Sequence, residues 1–137
     1  MTTLFDTGPL AAAIDRSDKH HARCAEFLES LRGPRLIPST VVVEVCWLLE
    51  ERPDVEAAFL ESVATGEFEY VAITNDDLLR MAELVRAYAD LPLGAVDASV
   101  IAISEPEHVK VPARKSGRGA SQDFALALTV CLSRHAA

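Results

Sequence analysis

The sequence predicts an α/β domain in which helices cover a parallel sheet. Its 137 residues are the length of one ordinary domain, which we expect to span residues 1–137. Half of the residues are hydrophobic and a quarter are charged, and this composition excludes a disordered chain. Short β-prone runs alternate with helical segments, which is the pattern of a parallel sheet whose strands are joined by helices.

The first half of the chain predicts two strands, each followed by helical segments. Residues 2–5 are a β-prone run that Gly8 and Pro9 end. Residues 35–37 suit a second short strand, after which Ser39 is a suitable N-cap for a helix. Helix-forming residues or a helical spacing of apolar residues predict helices over 10–14, 19–31 and 40–50.

The second half continues the alternation. Pro53 suits the first turn of a helix over 53–65, and Gly66 suits its end. Residues 68–73 predict a third strand, and Thr74 predicts the cap of the helix that follows. A further helix is predicted over 95–104.

The C-terminal segment has a less regular pattern. Residues 108–111 suit a fourth strand, and residues 113–122 suit a basic loop. Large and small apolar residues alternate over 124–132, and this period of two favours a strand, although the Ala and Leu content suits a helix equally.

Composition and charge exclude several classes of function. A net charge of −8 argues against a protein that holds nucleic acid through a broad basic surface. No apolar run approaches the roughly 18 residues that a membrane span needs, and no signal peptide is visible, so we expect a cytoplasmic protein with no membrane partner. Three widely spaced cysteines argue against a disulfide framework and are expected to be buried packing thiols: Cys24, Cys46 and Cys131.

The charge is unevenly distributed along the chain. Residues 104–137 contain five basic and three acidic residues, whereas residues 1–103 contain eight basic and eighteen acidic residues. A strongly acidic body is therefore followed by a mildly basic C-terminal segment.

Three aromatic side chains in helical segments have structural interpretations that weigh more than functional ones. His20 and His21 have no second His or Cys nearby, so an exposed helix face is the better interpretation than a metal pair. Trp47 is expected to be a core or dimer contact rather than a platform for base stacking.

Three carboxylates stand out because of their apolar surroundings. Asp6 ends the first predicted strand, Glu44 interrupts an apolar helix, and Asp97 lies in the first turn of a helix of Ala, Val and Ile. Each has an ordinary interpretation, as a loop or capping residue, an exposed helical residue and a helix-dipole partner respectively. Together they suit a divalent cation, since hard ions such as Mg²⁺ and Mn²⁺ prefer carboxylate oxygen and buried carboxylates need compensation.

The strings that contain these acids resemble the three motifs of a known family. They are LFDTGPL at residues 4–10, STVVVEV at 39–45 and LGAVDASVIA at 93–102. In this order they resemble the motifs of PIN-domain ribonucleases, in particular the VapC-like toxins of toxin–antitoxin modules. The resemblance covers residues 1–105, and residues 105–137 depart from the family pattern.

The resemblance implies a three-layer α/β/α domain that hydrolyses RNA with Mg²⁺ or Mn²⁺. It implies a toxin homodimer that is neutralised by a cognate antitoxin. Asp6 and Asp97 are the implied metal ligands, and Glu44 is the implied third acid, which binds the metal or orients a bound water. Thr7 matches the hydroxyl residue that follows the first Asp and is expected to position that carboxylate or the scissile phosphate.

A fourth acid of the family pattern is missing from its expected place. The family has a Thr-x-Asp motif after the helix of Asp97, and residues 114–118 at that place read RKSGR. A shifted alignment would bring Asp123 near the site instead. Either the basic segment contacts RNA phosphates, or this part of the chain has lost a metal ligand. The sequence therefore leaves two functions open, an active endoribonuclease and a weakened PIN-like module that binds antitoxin or RNA without efficient cleavage.

Overall fold

The structure is a computed structural model that describes residues 2–91 and 93–105, within which the chain forms three strands and six helices. In chain order they are β1 (Thr3–Leu4), α1 (Thr7–Ile14), α2 (His21–Ser30), β2 (Arg35–Pro38), α3 (Ser39–Leu48), α4 (Pro53–Ala64), β3 (Glu69–Val71), α5 (Asn75–Ala87) and α6 (Ala95–Ser104). The predicted α/β class is confirmed. The expectations for residues 108–132 and for Cys131 lie outside the described residues.

The sheet is parallel, and its strands follow one another in chain order. β1 pairs with β2, with Leu4 opposite Leu36, and β2 pairs with β3, with Ile37 opposite Tyr70. Because the strands are parallel, their carboxyl ends share one edge of the sheet. Only Phe5 and Asp6 separate β1 from α1, and α3 follows β2 directly, so both helices begin at this edge.

The core is formed by buried side chains of the strands and by the buried apolar faces of the helices that cover the sheet. Its buried members come from the strands and helices and from residues that flank them, and they include Leu4, Phe5, Leu10, Leu36, Ile37, Val41, Val45, Leu49, Phe59, Phe68, Val100 and Ile103. A smaller apolar cluster joins α5 to α6 through Met81, Leu84, Ala98 and Ala102. α6 is thus packed against both the main core and α5, and these contacts fix its position.

A charged pair also joins α5 to the end of α6. The Arg80 guanidinium donates from Nε and Nη2 to the carboxylate of Glu105, with distances of 2.9 and 2.7 Å for the shorter bond of each nitrogen. The hydrogen bonds that Arg80 donates to the carboxylate of Glu105, and then to that of Glu83, raise the pKa of Arg80. This fork geometry adds a directional constraint to the apolar contact between the two helices.

Two helix starts differ from their predictions. α1 begins at Thr7, earlier than predicted, because Asp6 caps it and because Pro9 in its first turn has no N–H to leave unsatisfied. Ser39 is wrong as an N-cap: Pro38 holds that position in extended conformation, and Ser39 is the first helical residue. Pro38 is the last residue of β2, so the N–H that proline lacks falls at the end of the strand and not in its middle.

Helix α3 is less buried than its composition predicts. Val43 is 70% exposed, Trp47 64% and Leu48 50%, whereas Val41 and Val45 are fully buried. The expectation of Trp47 as a core contact is therefore wrong, and the expectation of a dimer contact stays a prediction. α3 presents an exposed apolar surface of Val43, Trp47 and Leu48.

The cysteine and histidine predictions hold in part. Cys24 is buried as expected, but Cys46 is only half-buried, and this burial raises the pKa of its thiol. His20 is exposed, but His21 is half-buried, and its Nδ1 lies 3.0 Å from the carbonyl oxygen of Ala12. The solvated-face interpretation is wrong for His21, which ties α2 to α1. No helix in the described part of the chain is long and apolar enough to cross a membrane.

Replacing Thr74 by alanine is expected to lower the free energy of unfolding by about 1 kcal/mol, because Thr74 and Asp77 form a complete capping box at the start of α5. Urea unfolding followed by circular dichroism measures the change. Thr65→Ala is the control, since the Thr65 hydroxyl makes only a 3.3 Å bond to the Ser62 carbonyl after the end of α4. Equal losses in both variants would contradict a stabilising role of the cap.

Replacing Asp15 by asparagine is expected to lower the melting temperature at neutral pH but not in strong acid. Hydrogen bonds from the Ser17 side chain and backbone, and then the charge of Arg52, hold the pKa of Asp15 below its ordinary value of 3.8. A lowered folded-state pKa contributes stability above the ordinary value, and this stability is lost as the pH falls through the folded-state value. Thermal unfolding of both proteins across this pH range should show a gap that closes on acidification. Asp90→Asn, at an exposed position after α5, is the control, and a pH-independent gap for Asp15→Asn would contradict the prediction.

Candidate active site

Asp6 lies at the carboxyl edge of the sheet, where only Phe5 separates it from the end of β1. The residue is 7% exposed, and its Oδ1 accepts a 2.7 Å hydrogen bond from the backbone N–H of Thr7. Its backbone is extended, so it serves as the N-cap of α1. The capping bond and the positive end of the helix dipole compensate the burial of this carboxylate. The prediction of Asp6 at a strand end is confirmed, and its capping interpretation also holds.

Thr7 joins this position to the middle of α3. Its Oγ1 donates a 2.6 Å hydrogen bond to Oε2 of Glu44, and Thr7 itself is 6% exposed. Glu44 is half-buried, in the one polar position between the apolar residues of α3. A short bond from a hydroxyl to a carboxylate is a charge-assisted bond, which fixes the orientation of the carboxylate. Thr7 therefore orients Glu44, as well as contributing its N–H to Asp6.

Asp97 is the third residue of α6 and is half-buried. Its N-cap is Gly94, which has no side chain to accept the N–H bonds of the first turn. Oδ2 of Asp97 turns back towards this glycine, since a Cβ placed on Gly94 would lie 3.9 Å from it. Within residues 2–91 and 93–105 the Asp97 carboxylate makes no hydrogen bond or ion pair.

Asp77 occupies the same helical position in α5, but its carboxylate is hydrogen-bonded in a helix cap. Its Oδ2 accepts from both the N–H and the hydroxyl of its N-cap, Thr74, at 2.9 and 2.8 Å. The difference lies in the N-cap residue, a threonine in α5 and a glycine in α6. The sequence thus places one carboxylate in a cap and leaves the other available for a ligand.

The first turn of α3 is in direct contact with the second turn of α6. Thr40 and Ser99 bring their hydroxyl oxygens within 2.6 Å of each other, and Ser99 is fully buried. α1 also packs against α3. The positive ends of α1 and α3 therefore lie at the edge that carries Asp6 and Glu44, and the bond between Thr40 and Ser99 holds the N-terminal half of α6 against α3. Such N-terminal ends stabilise carboxylates and phosphates alike.

The donor chemistry of these residues fits a hard divalent cation. Asp6, Glu44 and Asp97 offer only carboxylate oxygens, and Thr7 offers a hydroxyl. Among the residues that the structure describes, however, no group of three His, Cys, Asp or Glu side chains lies close enough together to hold one ion. A Mg²⁺ ion is commonly bound by one or two carboxylates and completed by waters and substrate phosphates, so two convergent acids suffice for such a site.

Three of the four predicted site residues are linked directly by hydrogen bonds, and the fourth, Asp97, is connected to them only through a contact between helices. Asp6, Thr7 and Glu44 are linked by hydrogen bonds at one edge of the sheet. Asp97 is joined to them through the contact between α6 and α3. The sequence interpretation missed Thr40 and Ser99, although their positions hold a signal: one lies a helical turn before Glu44 and the other two residues after Asp97.

Comparison with known proteins identifies the class. The model of the PIN-domain family matches residues 3–111, which is most of the chain, and the chain belongs to this family. It is 27% identical over 104 residues to ribonuclease VapC26 of Mycobacterium tuberculosis strain H37Rv, an alignment that covers 74% of this chain and 77% of that one. Its structure superposes on the crystal structure of VapC20 of M. tuberculosis, a toxin that cleaves the sarcin–ricin loop, with a TM-score of 0.69 and 19% identity over 75% of this chain and 80% of that one. The predicted resemblance to VapC-like PIN-domain ribonucleases and the predicted PIN-like α/β/α architecture are confirmed.

Replacing Thr7 by valine is expected to lower the free energy of unfolding by about 1.5–3 kcal/mol, since a buried hydroxyl that donates to a carboxylate is lost. Thr7→Ser keeps the donor and should lose less. A double-mutant cycle with Glu44→Ala, measured by urea unfolding, isolates the pair. Additive losses in this cycle would show that the two side chains do not interact.

Proposed function

We propose that this chain is a metal-dependent endoribonuclease toxin that hydrolyses RNA phosphodiester bonds. The observation that carries the proposal is the joined arrangement of Asp6, Thr7 and Glu44 at the carboxyl edge of a PIN-type sheet. The similarity to a ribonuclease of the VapC group supports the choice of RNA as substrate.

In this proposal Asp6 and Asp97 hold Mg²⁺ or Mn²⁺, and Glu44 is the third acid. When bound, the cation supplies the activation of a water nucleophile and the neutralisation of phosphate charge. The protein's own part is orientation. Thr7 donates a hydrogen bond to Oε2 of Glu44. This bond fixes the orientation of the carboxylate and therefore the direction of its other oxygen, Oε1. Asp97 is available because its helix is capped by Gly94.

The negative net charge is compatible with an RNA substrate. The affinity of this site for a phosphate comes from local positive charge, namely the cation and the N-terminal ends of the helices at the sheet edge. A broad basic surface is therefore not required. The acidic body instead opposes non-specific binding of long nucleic acids, whose affinity rests on many phosphate contacts.

The partners follow the same proposal. We expect a single cytoplasmic domain over residues 1–137 that forms a homodimer and is neutralised by a cognate antitoxin. The exposed apolar surface of Val43, Trp47 and Leu48 on α3 supports a protein partner, since exposed aromatic and aliphatic residues in one place are typical of interfaces.

A second function, a PIN-like module that binds without efficient cleavage, is supported by the sequence of residues 114–118. Residues 114–118 read RKSGR where the family pattern has its fourth acid. A site with fewer carboxylates binds a divalent cation more weakly, and such a chain would bind antitoxin or RNA without efficient cleavage. The two functions differ in one measurement, the metal dependence of RNA cleavage.

The test is cleavage of total RNA by the full chain, with and without Mn²⁺. Asp6→Asn and Asp97→Asn are each expected to slow cleavage about a hundredfold, because a metal contributes several kcal/mol to the stabilisation of the transition state. Both variants should also lose heat of Mn²⁺ binding in calorimetry.

The matched control is Asp76→Asn. Asp76 is an exposed acid in the first turn of α5, as Asp97 is an acid in the first turn of α6. Metal-dependent cleavage that survives in Asp76→Asn and fails in Asp97→Asn supports the enzyme. Intact RNA with the wild-type chain and Mn²⁺, together with antitoxin binding, would favour the binding module, and equal Mn²⁺ binding by wild type and Asp6→Asn would remove Asp6 from the site.

A further inference from the structure

The hydroxyls of Thr40 and Ser99 form a bond between α3 and α6 that the proposed reaction does not use directly. Their oxygens are 2.6 Å apart, and Ser99 Oγ also donates a 2.6 Å hydrogen bond to the carbonyl oxygen of Val96. A serine hydroxyl has one proton to donate. Since that proton is given to Val96, Thr40 Oγ1 is the donor in the bond to Ser99.

With this assignment, hydrogen bonds run from Thr40 to Ser99 and from Ser99 to the Val96 carbonyl, and so connect the part of α3 that carries Glu44 to the part of α6 that carries Asp97. Thr40 and Glu44 are four residues apart in α3 and so lie on the same face of the helix. At the other end, the Val96 carbonyl belongs to the peptide bond whose nitrogen is that of Asp97. Ser99 therefore holds the peptide unit that carries Asp97, and Thr40 ties it to the turn that carries Glu44.

The bond between Thr40 and Ser99 is protected from water because Ser99 is fully buried. Ser99 is 0% exposed, so no water competes for its hydroxyl, and an unmade bond there would leave a buried polar group unsatisfied. The apolar contacts that hold α6 against the core and α5 are non-directional, whereas the two short hydroxyl bonds are directional and so add a constraint on the register of α6 against α3.

We infer that Thr40 and Ser99 are positioning residues that set Asp97 relative to Glu44. This inference rests on the proposed function, because it assigns the pair a role at the same site. Groups that orient metal ligands through one further contact typically contribute 10–100-fold to metal affinity or activity. Neither hydroxyl is assigned contact with the substrate or the metal.

The variants separate the hydroxyl from the side-chain shape. Thr40→Val removes the donor and keeps the branched shape, whereas Thr40→Ser keeps the donor. Ser99→Ala removes the acceptor with a residue that favours helices. Ser104→Ala is the matched control, since Ser104 makes the same kind of bond within α6, to the carbonyl of Ile101 at 2.7 Å, and no described bond to α3.

The measurements are Mn²⁺ binding by calorimetry, kcat and KM for RNA cleavage, and thermal unfolding, with binding and rates taken well below every melting temperature. Thr40→Val and Ser99→Ala are each expected to weaken Mn²⁺ binding and lower kcat about tenfold. Thr40→Ser and Ser104→Ala should behave like the wild type. The double variant of Thr40→Val and Ser99→Ala should lose no more than Ser99→Ala alone, because Ser99→Ala already removes the bond to Thr40 together with the bond to the Val96 carbonyl.

The failures are distinguishable. Wild-type Mn²⁺ binding and kcat in Thr40→Val and Ser99→Ala, alongside their loss in Asp97→Asn, would overturn the positioning role and leave the proposed function intact. Additive losses in the double variant would also overturn it, since the two hydroxyls would then act independently of their shared bond. A loss in Ser104→Ala equal to that in Ser99→Ala would overturn it as well, since any serine-to-carbonyl bond within α6 would then have the same effect. Wild-type behaviour of Asp97→Asn would overturn the proposed function and the inference together.

Discussion

The hydrogen bond from Thr7 to Glu44 is the interaction on which the site depends. It lets a carboxylate lie in the middle of an otherwise apolar helix, and it does so from the residue that also donates its N–H to Asp6. Two acids that repel one another are thus oriented by adjacent donors of a single residue. Without such donors, the cost of burying charge would favour a rotation of α3 that exposes Glu44.

The sheet topology explains why one residue can serve both acids. β1 and β2 are parallel neighbours, so the turns after them meet at one edge, and the helices α1 and α3 begin there. The positive ends of the helices then stabilise the carboxylates in the absence of a ligand and a phosphate in its presence. An acidic protein can in this way keep a local site for an anionic substrate.

Much of this arrangement could be predicted from the sequence, because it depends on local rules. Strand-ending Asp6, the isolated Glu44 and the threonine cap at Thr74 are visible as single residues in a contrasting context. The contact between Thr40 and Ser99 could not be predicted in this way, because it joins residues 59 positions apart and depends on how α6 packs. Exposure of Trp47 was missed for a related reason: an all-round apolar helix does not show which face its neighbours cover.

Asp77 and Asp97 show why sequence position alone does not define a ligand. Both are the third residue of a helix, where an acid can close a capping box. Thr74 completes the box in α5 and binds Asp77, whereas Gly94 cannot do so in α6. Because glycine is itself a tolerated N-cap, the absence of the box at Asp97 lowers helix stability by only about a few tenths of a kcal/mol relative to a threonine cap. The glycine N-cap of α6 thus leaves the Asp97 carboxylate without a capping-box partner at small cost, and this is the carboxylate suited to an external cation.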